Sequence, residues 1–277
     1  MVQKLTSFAC DVRELSPMYE LSLVVPCYNE EKRLAKGLFK TYLQEHPHHL
    51  ILFVNDGSHD ATETILRDLS HELANAKVLS LEGNSGKAEA VRRGVLFLQS
   101  HFPSRFFGFW DADLATPLTE LASFTQRFVE TPTLRMILGS RVKILGLDIK
   151  RSAMRHYLGR AFATAVSLTL RLPVYDTQCG AKMFRTSPET VNLFRIPFLS
   201  RWIFDVEIVA RMQLAFPDEA GMRIPHGIME LPLCQWHDVR GSKLGFSDFL
   251  KAIVELIRIY FWKSQRSKQN YARACDH

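Results

Sequence analysis

The stretch Arg105-Phe-Phe-Gly-Phe-Trp-Asp-Ala-Asp-Leu-Ala-Thr116 decides how the chain reads. Phe106, Phe107, Phe109 and Trp110 form an aromatic run of buried-strand type that stops at two carboxylates, Asp111 and Asp113, with one small residue between them. Side chains alternate along a strand, but where strand gives way to loop an i, i+2 pair can turn oxygens toward one hard cation. Ligands of open α/β sheets gather beyond the carboxyl ends of the strands, so a substrate is expected at the same place. An isolated Asp-x-Asp is equally a strand end followed by a solvated acidic turn, and the surrounding sequence has to decide.

The chain has 277 residues, enough to bury a sizeable core, and one α/β domain with an appendage is expected. Its 35 basic and 29 acidic residues give a net charge of +6, which suits anionic partners: nucleic acid, membrane or phosphorylated substrates. No nucleic-acid motif accompanies that charge, and the bases gather only in the Lys263 to Arg273 tail. Cys10, Cys27, Cys179, Cys234 and Cys275 are odd in number and far apart, with neither zinc nor disulfide spacing, as in a reducing compartment. The first ten residues lack a signal-peptide apolar stretch, and the longest nearly apolar run, Ala161 to Leu170, falls short of the roughly 20 residues a spanning helix needs. No membrane-crossing segment is expected.

Residues 1–20 read as a polar arm. Leu21 to Val25 is a strand, Glu30 to Leu43 a helix, Leu50 to Val54 a strand and Ala61 to Leu73 a helix. Lys77 to Leu81 and Lys87 to Ser100 repeat the pattern before the Phe106 to Trp110 strand. This alternation predicts a mostly parallel sheet with helices on both faces. Farther on, Ala153 to Leu172 reads as a helix with a core stripe of Leu158, Ala161, Phe162, Ala165, Leu168 and Leu172.

The loops behind the strands are polar: Pro26, Tyr28, Asn29 and Glu30; then Asp56, Gly57 and Ser58; then Asn84, Gly86 and Lys87. Apolar strands delivering such loops to one edge is how these sheets assemble a nucleotide site. The Asn84 to Lys87 turn lacks the full spacing of an NTPase phosphate loop. Asp56 can equally be a helix cap. Asp205 and Glu207 are candidates for a general base or for carboxylates at a helix N-terminus. Cys179 has nothing nearby in sequence to activate it as a nucleophile.

Together the segments carry a resemblance. Leu-Val-Val-Pro-Cys-Tyr-Asn-Glu-Glu, Val-Asn-Asp-Gly-Ser, Asn-Ser-Gly-Lys, Asp-Ala-Asp and Gly-Ser-Arg, in that order, resemble the inverting family 2 glycosyltransferases with the GT-A fold. Asp176-Thr-Gln-Cys-Gly-Ala-Lys-Met-Phe184, Phe204-Asp-Val-Glu207 and Gly241-Ser-Lys-Leu244 are similar to the branch that glycosylates polyprenyl or dolichyl phosphate, nearer its β-glucosyl than its mannosyl members. The resemblance implies an α/β GT-A domain over residues 21–245. Pro26, Tyr28, Glu30, Val54, Asp56, Lys87, Asp111, Ala112 and Gln178 would then bind the nucleotide sugar, and Asp111 and Asp113 would hold Mg²⁺ or Mn²⁺ on its diphosphate. Asp113, Arg141 and Asp205 would be catalytic, and Arg151, Arg155, Ser242 and Lys243 would meet the acceptor phosphate. Arg151 and Arg155 equally suit the solvated face of their helix.

The chemistry stands without the family. Breaking a sugar–diphosphate bond puts charge on the leaving oxygen, which a cation and basic side chains stabilise where it develops. An acceptor phosphate, with a second pKa of about 6, is mostly a dianion at neutral pH and needs little help from a base. In residues 246–277, Phe246, Phe249, Leu250, Ile253, Val254, Ile257, Tyr260 and Phe261 keep helical spacing, with Trp262 and the basic tail behind them. Such a helix either docks on the domain or lies in a membrane interface. The leading expectation is therefore transfer of a hexose, glucose from UDP-glucose, to a polyprenyl phosphate by a protein peripheral at the cytoplasmic face of a membrane. Mannosyl transfer from GDP-mannose, a polar acceptor, and a nucleotide-sugar-binding protein without turnover are the alternatives.

Overall fold

The computed structural model describes residues 19–142, 145–146, 148–150, 153–217, 225–237 and 246–275, without the side chains of 150, 153–158, 246–250 and 268–275. Strand and helix alternate through β1 (Tyr19–Cys27), α1 (Lys36–Glu45), β2 (His49–Asn55), α2 (Thr62–Glu72), β3 (Ala76–Ser80), α3 (Lys87–His101) and β4 (Ser104–Trp110). There follow α4 (Leu121–Glu130), β5 (Met136–Ser140), β6 (Asp148–Lys150), α5 (Ala153–Leu170), β7 (Ala181–Arg185), α6 (Pro188–Asn192) and α7 (Phe204–Ala215). The chain closes with β8 (Ile228–Pro232), β9 (Gln235–His237) and α8 (Phe246–Cys275).

Seven strands form one sheet in the order β3-β2-β1-β4-β7-β5-β8, and β6 pairs with β9 apart from it. The large sheet is parallel except at β7, which runs against both β4 and β5. Its central strands are mostly apolar because both faces are covered, so successive residues enter opposite cores. On β1, Val24 joins Val54, Phe107 and Phe109 beneath α3, α7 and α8, whereas Leu23 and Val25 join Phe53, Phe106 and Trp110 beneath α1 and α4. This is the mixed, helix-flanked α/β sheet expected from the alternation, with β7 as its antiparallel member.

Two expectations change. The first helix starts at Lys36, not Glu30, because residues 30–34 are drawn into turns: Glu30 N–H donates to Thr62 Oγ1 at 2.8 Å and its carbonyl accepts from Leu34. The α5 stripe is rotated: Ala163, Val166 and Leu170 are buried, and Ala161 and Leu168 face out. Helix α8 docks through Ala252, Leu256 and Ile259. Ile253, Val254, Ile257, Tyr260 and Phe261, from the stripe read as docking on the domain or lying in a membrane interface, stay between 37% and 58% exposed. Lys263 turns inward, donating to Leu170 O and Gln213 Oε1, so the basic tail begins as part of the packed helix. No described helix is long and apolar enough to cross a membrane.

Candidate active site

The parallel strands β1, β2, β3 and β4 end at one edge of the sheet, where the antiparallel β7 begins and β5 ends. Behind β2, Asp56 is buried, and its two oxygens accept the N–H groups of Ser85 and Gly86 at 2.8 Å each. It therefore ties the loop behind β3 to the loop behind β2 and does not cap α2. Gly86 donates that bond at φ +91°, a backbone conformation that side-chain-bearing residues rarely adopt. Behind β1, Asn29 also takes a positive φ of 53°, and its side chain accepts from His59 N–H. Glu30 pairs with Arg33 at 2.5 Å. Burial raises the Glu30 pKa, with Arg33 opposing the shift and Asp113 and Asp111 adding to it.

Asp111 and Asp113 stand at the end of β4 in a turn that Leu114 closes at φ +49°. Asp111 Oδ1 lies 2.5 Å from Lys87 Nζ, and its N–H donates to Gly180 O at 3.1 Å. Burial alone would raise the Asp111 pKa, but Lys87 first, then Lys182 and Arg141, hold it below the ordinary carboxylate value. Asp113 shifts the other way, raised by burial and by the Asp111 charge, although Ala115 N–H donates to its Oδ1 at 3.1 Å. Cations favour the ionised form of the first carboxylate, while burial and its neighbour's charge disfavour that of the second, so added positive charge beside Asp113 would be stabilising.

That pattern fits a divalent ion. The ammonium of Lys87 already sits on Asp111 where a cation would be drawn. No described cluster of three or more acidic, His or Cys side chains could hold a metal by itself. Two carboxylates, with the remaining positions left to phosphate and water, is the donor set expected for Mg²⁺ or Mn²⁺ carried with a diphosphate.

Across the edge, Arg141 grips Asp176 in a two-pronged ion pair, Nε to Oδ2 at 2.6 Å and Nη2 to Oδ1 at 2.8 Å. Asp176 is fixed in turn by its N–H, which donates to Glu230 Oε1 at 2.7 Å. The guanidinium carbon of Arg141 lies 5.4 Å from the centre of the Trp236 ring. Asp205 is buried at the start of α7 and pairs at 2.5 Å with Lys182, which is fully buried and also donates to Cys179 O at 2.6 Å. Cys179 is buried too, and burial pushes its thiol up to about 11, unsuited to nucleophilic attack at neutral pH.

Tyr28, Glu30, Asp56, Asp111, Ala112 and Gln178 fall on loops of this edge, with Pro26 near the end of β1 and Lys87 at the start of α3. Val54 does not present its side chain there: it is fully buried, in van der Waals contact range of Gly94 on α3, so only its main chain reaches the edge. Arg151, Ser242, Lys243 and the side chain of Arg155 lie outside the described residues. The reading from sequence missed Arg33, Lys182 and Glu230. A lysine inside the apolar strand Ala181-Lys-Met-Phe184 was the available signal, because a buried lysine implies a partner.

The glycosyl transferase family 2 model matches residues 22–190. A dolichyl-phosphate beta-glucosyltransferase of Trichomonas vaginalis is 33% identical over 250 residues, covering 86% of this chain and 72% of its own. The enzyme of that name from Saccharomyces cerevisiae is 29% identical over 260 residues, covering 86% and 73%. Among solved structures, glucosyl-3-phosphoglycerate synthase from Mycobacterium tuberculosis in complex with UDP superposes with a TM-score of 0.61 at 16% identity, over 87% of this chain and 80% of that one. The same synthase with Mn²⁺, UDP and glucosyl-3-phosphoglycerate gives 0.59 at 18% identity, over 88% and 80%. These structures share the fold, an α/β sheet of GT-A type flanked by helices. With a family match over more than half its length, the chain belongs to glycosyl transferase family 2.

Proposed function

We propose that this protein is a hexosyltransferase that moves glucose from UDP-glucose to a dolichyl or other polyprenyl phosphate with inversion at C1. The observation that carries the reading is the pair Asp111 and Asp113 at the end of β4, with Lys87 on the first and a bidentate Arg141 across the edge. The relatives named as dolichyl-phosphate beta-glucosyltransferases support the choice of sugar and acceptor.

In this reading Asp111 and Asp113 hold Mg²⁺ or Mn²⁺, which when bound neutralises the diphosphate. Lys87 exchanges Asp111 for phosphate oxygens, and Arg141, kept oriented by Asp176, adds positive charge beside the leaving group. Pro26, Tyr28, Glu30, Asp56, Ala112 and Gln178 bind the nucleoside and sugar. A phosphate oxygen of the acceptor bonds to C1 as the bond from C1 to the diphosphate oxygen breaks, and UDP leaves with the electron pair. The acceptor is already an anion, so no proton has to be removed. Asp205, neutralised by Lys182, orients α7 in this scheme. Arg151, Arg155, Ser242 and Lys243 are assigned to the acceptor phosphate.

The reading also puts the protein at a membrane surface, on its cytoplasmic side. The exposed residues of α8 from Ile253 to Phe261 include no acid, Glu255 being partly buried and bonded to Ser200, and the cations Lys251 and Arg258 are exposed with them. Apolar residues at the headgroup boundary with bases beside them suit an interface helix on anionic lipid. The test supplies Mn²⁺ with labelled UDP-glucose, UDP-N-acetylglucosamine or GDP-mannose and a polyprenyl phosphate, and follows label into the organic phase. Label from UDP-glucose alone supports the assignment. Label from GDP-mannose, or transfer only to a water-soluble alcohol, overturns the donor or the acceptor respectively.

A further inference from the structure

The segment between α6 and α7 combines a pinned backbone with outward side chains. Glu207 Oε2 accepts the N–H groups of Leu199 and Ser200 at 2.8 and 3.3 Å, while its Oε1 pairs with Arg211 Nη2 at 2.6 Å. Arg211 also donates to the carbonyls of Leu193, Ile196 and Pro197. Ser200 Oγ accepts Ile203 N–H at 2.7 Å and donates to Glu255 of α8, fastening the segment beside that helix. Buried charge thus holds this backbone still, yet Leu199 and Trp202 are 45% and 47% exposed, and Arg201 between them is exposed as well.

Arg201 reaches the loop that opens the catalytic edge. A Cβ built on Gly86 would lie 3.0 Å from Arg201 Nη2 and 3.1 Å from its Nε, so the guanidinium rests on Gly86, next to Lys87. No carboxylate among the described residues pairs with it. A rigid segment therefore presents a cation toward the phosphate edge and two large apolar side chains on either side of it in sequence, bonded to α8.

Resting on the lipid-phosphate reading above, we propose that Arg201, Leu199 and Trp202 form the docking subsite for the acceptor's phosphate and its first isoprene units. Arginine offers a planar fork to a phosphate monoester, and the two apolar residues remove the adjoining hydrocarbon from water. The pre-ordered backbone lowers the entropy lost on binding.

The probe is citronellyl phosphate, a short isoprenyl phosphate, titrated calorimetrically into the full chain with Mn²⁺ and UDP present. Arg201→Gln is expected to weaken its binding about tenfold or more, the loss of a charged hydrogen bond, and to leave UDP affinity unchanged. Leu199→Ser and Trp202→Ser are expected to weaken citronellyl phosphate severalfold without changing the affinity for inorganic phosphate. Because all three side chains are exposed, melting curves should confirm that the variants fold. Unchanged binding in Arg201→Gln overturns the proposal, as does an equal loss of UDP affinity, which would give Arg201 to the donor. A wild-type chain that ignores citronellyl phosphate but glycosylates long polyprenyl phosphate sinks the subsite and leaves the proposed function standing. Arg201-dependent binding with no transfer to any polyprenyl phosphate does the reverse.

Discussion

The main chain of Gly180 lies against the carboxylate of Asp111: a Cβ on Gly180 would fall 1.8 Å from Asp111 Oδ2, while the Gly180 carbonyl accepts the Asp111 N–H at 3.1 Å. The start of β7 therefore fixes both the backbone and the side-chain position of this carboxylate. Gly180→Ala has to displace the carboxylate or the strand. Transfer is expected to fall at least about 100-fold, since misplacement of catalytic groups by about 1 Å costs that much. Calorimetric titration should record a parallel loss of UDP-dependent Mn²⁺ binding. A Gly180→Ala protein with wild-type Mn²⁺ affinity would show that Asp111 is not held this way.

Asp113→Asn separates stability from function. Burial and Asp111 raise the Asp113 pKa, so its charge opposes folding: the native state binds more protons than the unfolded one, and this contribution to stability falls as pH rises above the ordinary value of 3.8. Without metal, the Asn variant is expected to melt no lower than wild type at neutral pH. It should lose the stabilisation that Mn²⁺ with UDP confers, and its transfer activity should disappear. Differential scanning calorimetry with and without Mn²⁺–UDP checks the first two points.

Lys182→Met leaves Asp205 buried without its partner. Breaking one side of a buried pair costs about 3–5 kcal/mol, and removing both charges costs far less. Urea denaturation should accordingly show Lys182→Met strongly destabilised and Lys182→Met/Asp205→Asn largely restored. Equal destabilisation of both proteins would mean that the lysine acts through packing alone.

Glu89 on α3 predicts an acid limb. Hydrogen bonding to Arg92, with help from Arg93, lowers its pKa from 4.5 to about 2. The sign follows from the depressed value: the contribution is complete above about pH 4.5 and is lost as pH falls toward 2. Discounted for solvent screening it amounts to about 1 kcal/mol. Glu89→Gln should lose that much at pH 7 and match wild type near pH 2 in urea titrations.

The alternation of β1 to β4 with three helices was legible because parallel strands covered on both faces are continuous apolar runs, bounded here by polar loops. The carboxylate pair proposed to hold the metal was legible for the same reason, since two carboxylates cannot continue the Phe106 to Trp110 core. What sequence did not reveal depends on contacts distant along the chain. The first helix begins late because Thr62, on another helix, takes the N–H of Glu30. The α8 stripe reads from periodicity as either a docked face or a membrane-interface face, and only the fold shows that Leu256 and Ile259 make the contact while Ile253 and Phe261 remain outside. Periodicity finds a two-faced helix but does not choose which face packs. The resemblance implied a catalytic Arg141 but not its partner, and only the fold brings Asp176 to it.

The central claim is that Asp111 and Asp113 hold a divalent cation on the donor's diphosphate. Its most direct test is electron paramagnetic resonance of Mn²⁺ titrated with the protein, with and without UDP, for wild type and for Asp111→Asn and Asp113→Asn. The account predicts that free Mn²⁺ signal is lost on adding wild-type protein with UDP, and persists with either variant at the same concentrations. Undiminished, UDP-dependent Mn²⁺ binding by both variants would contradict it.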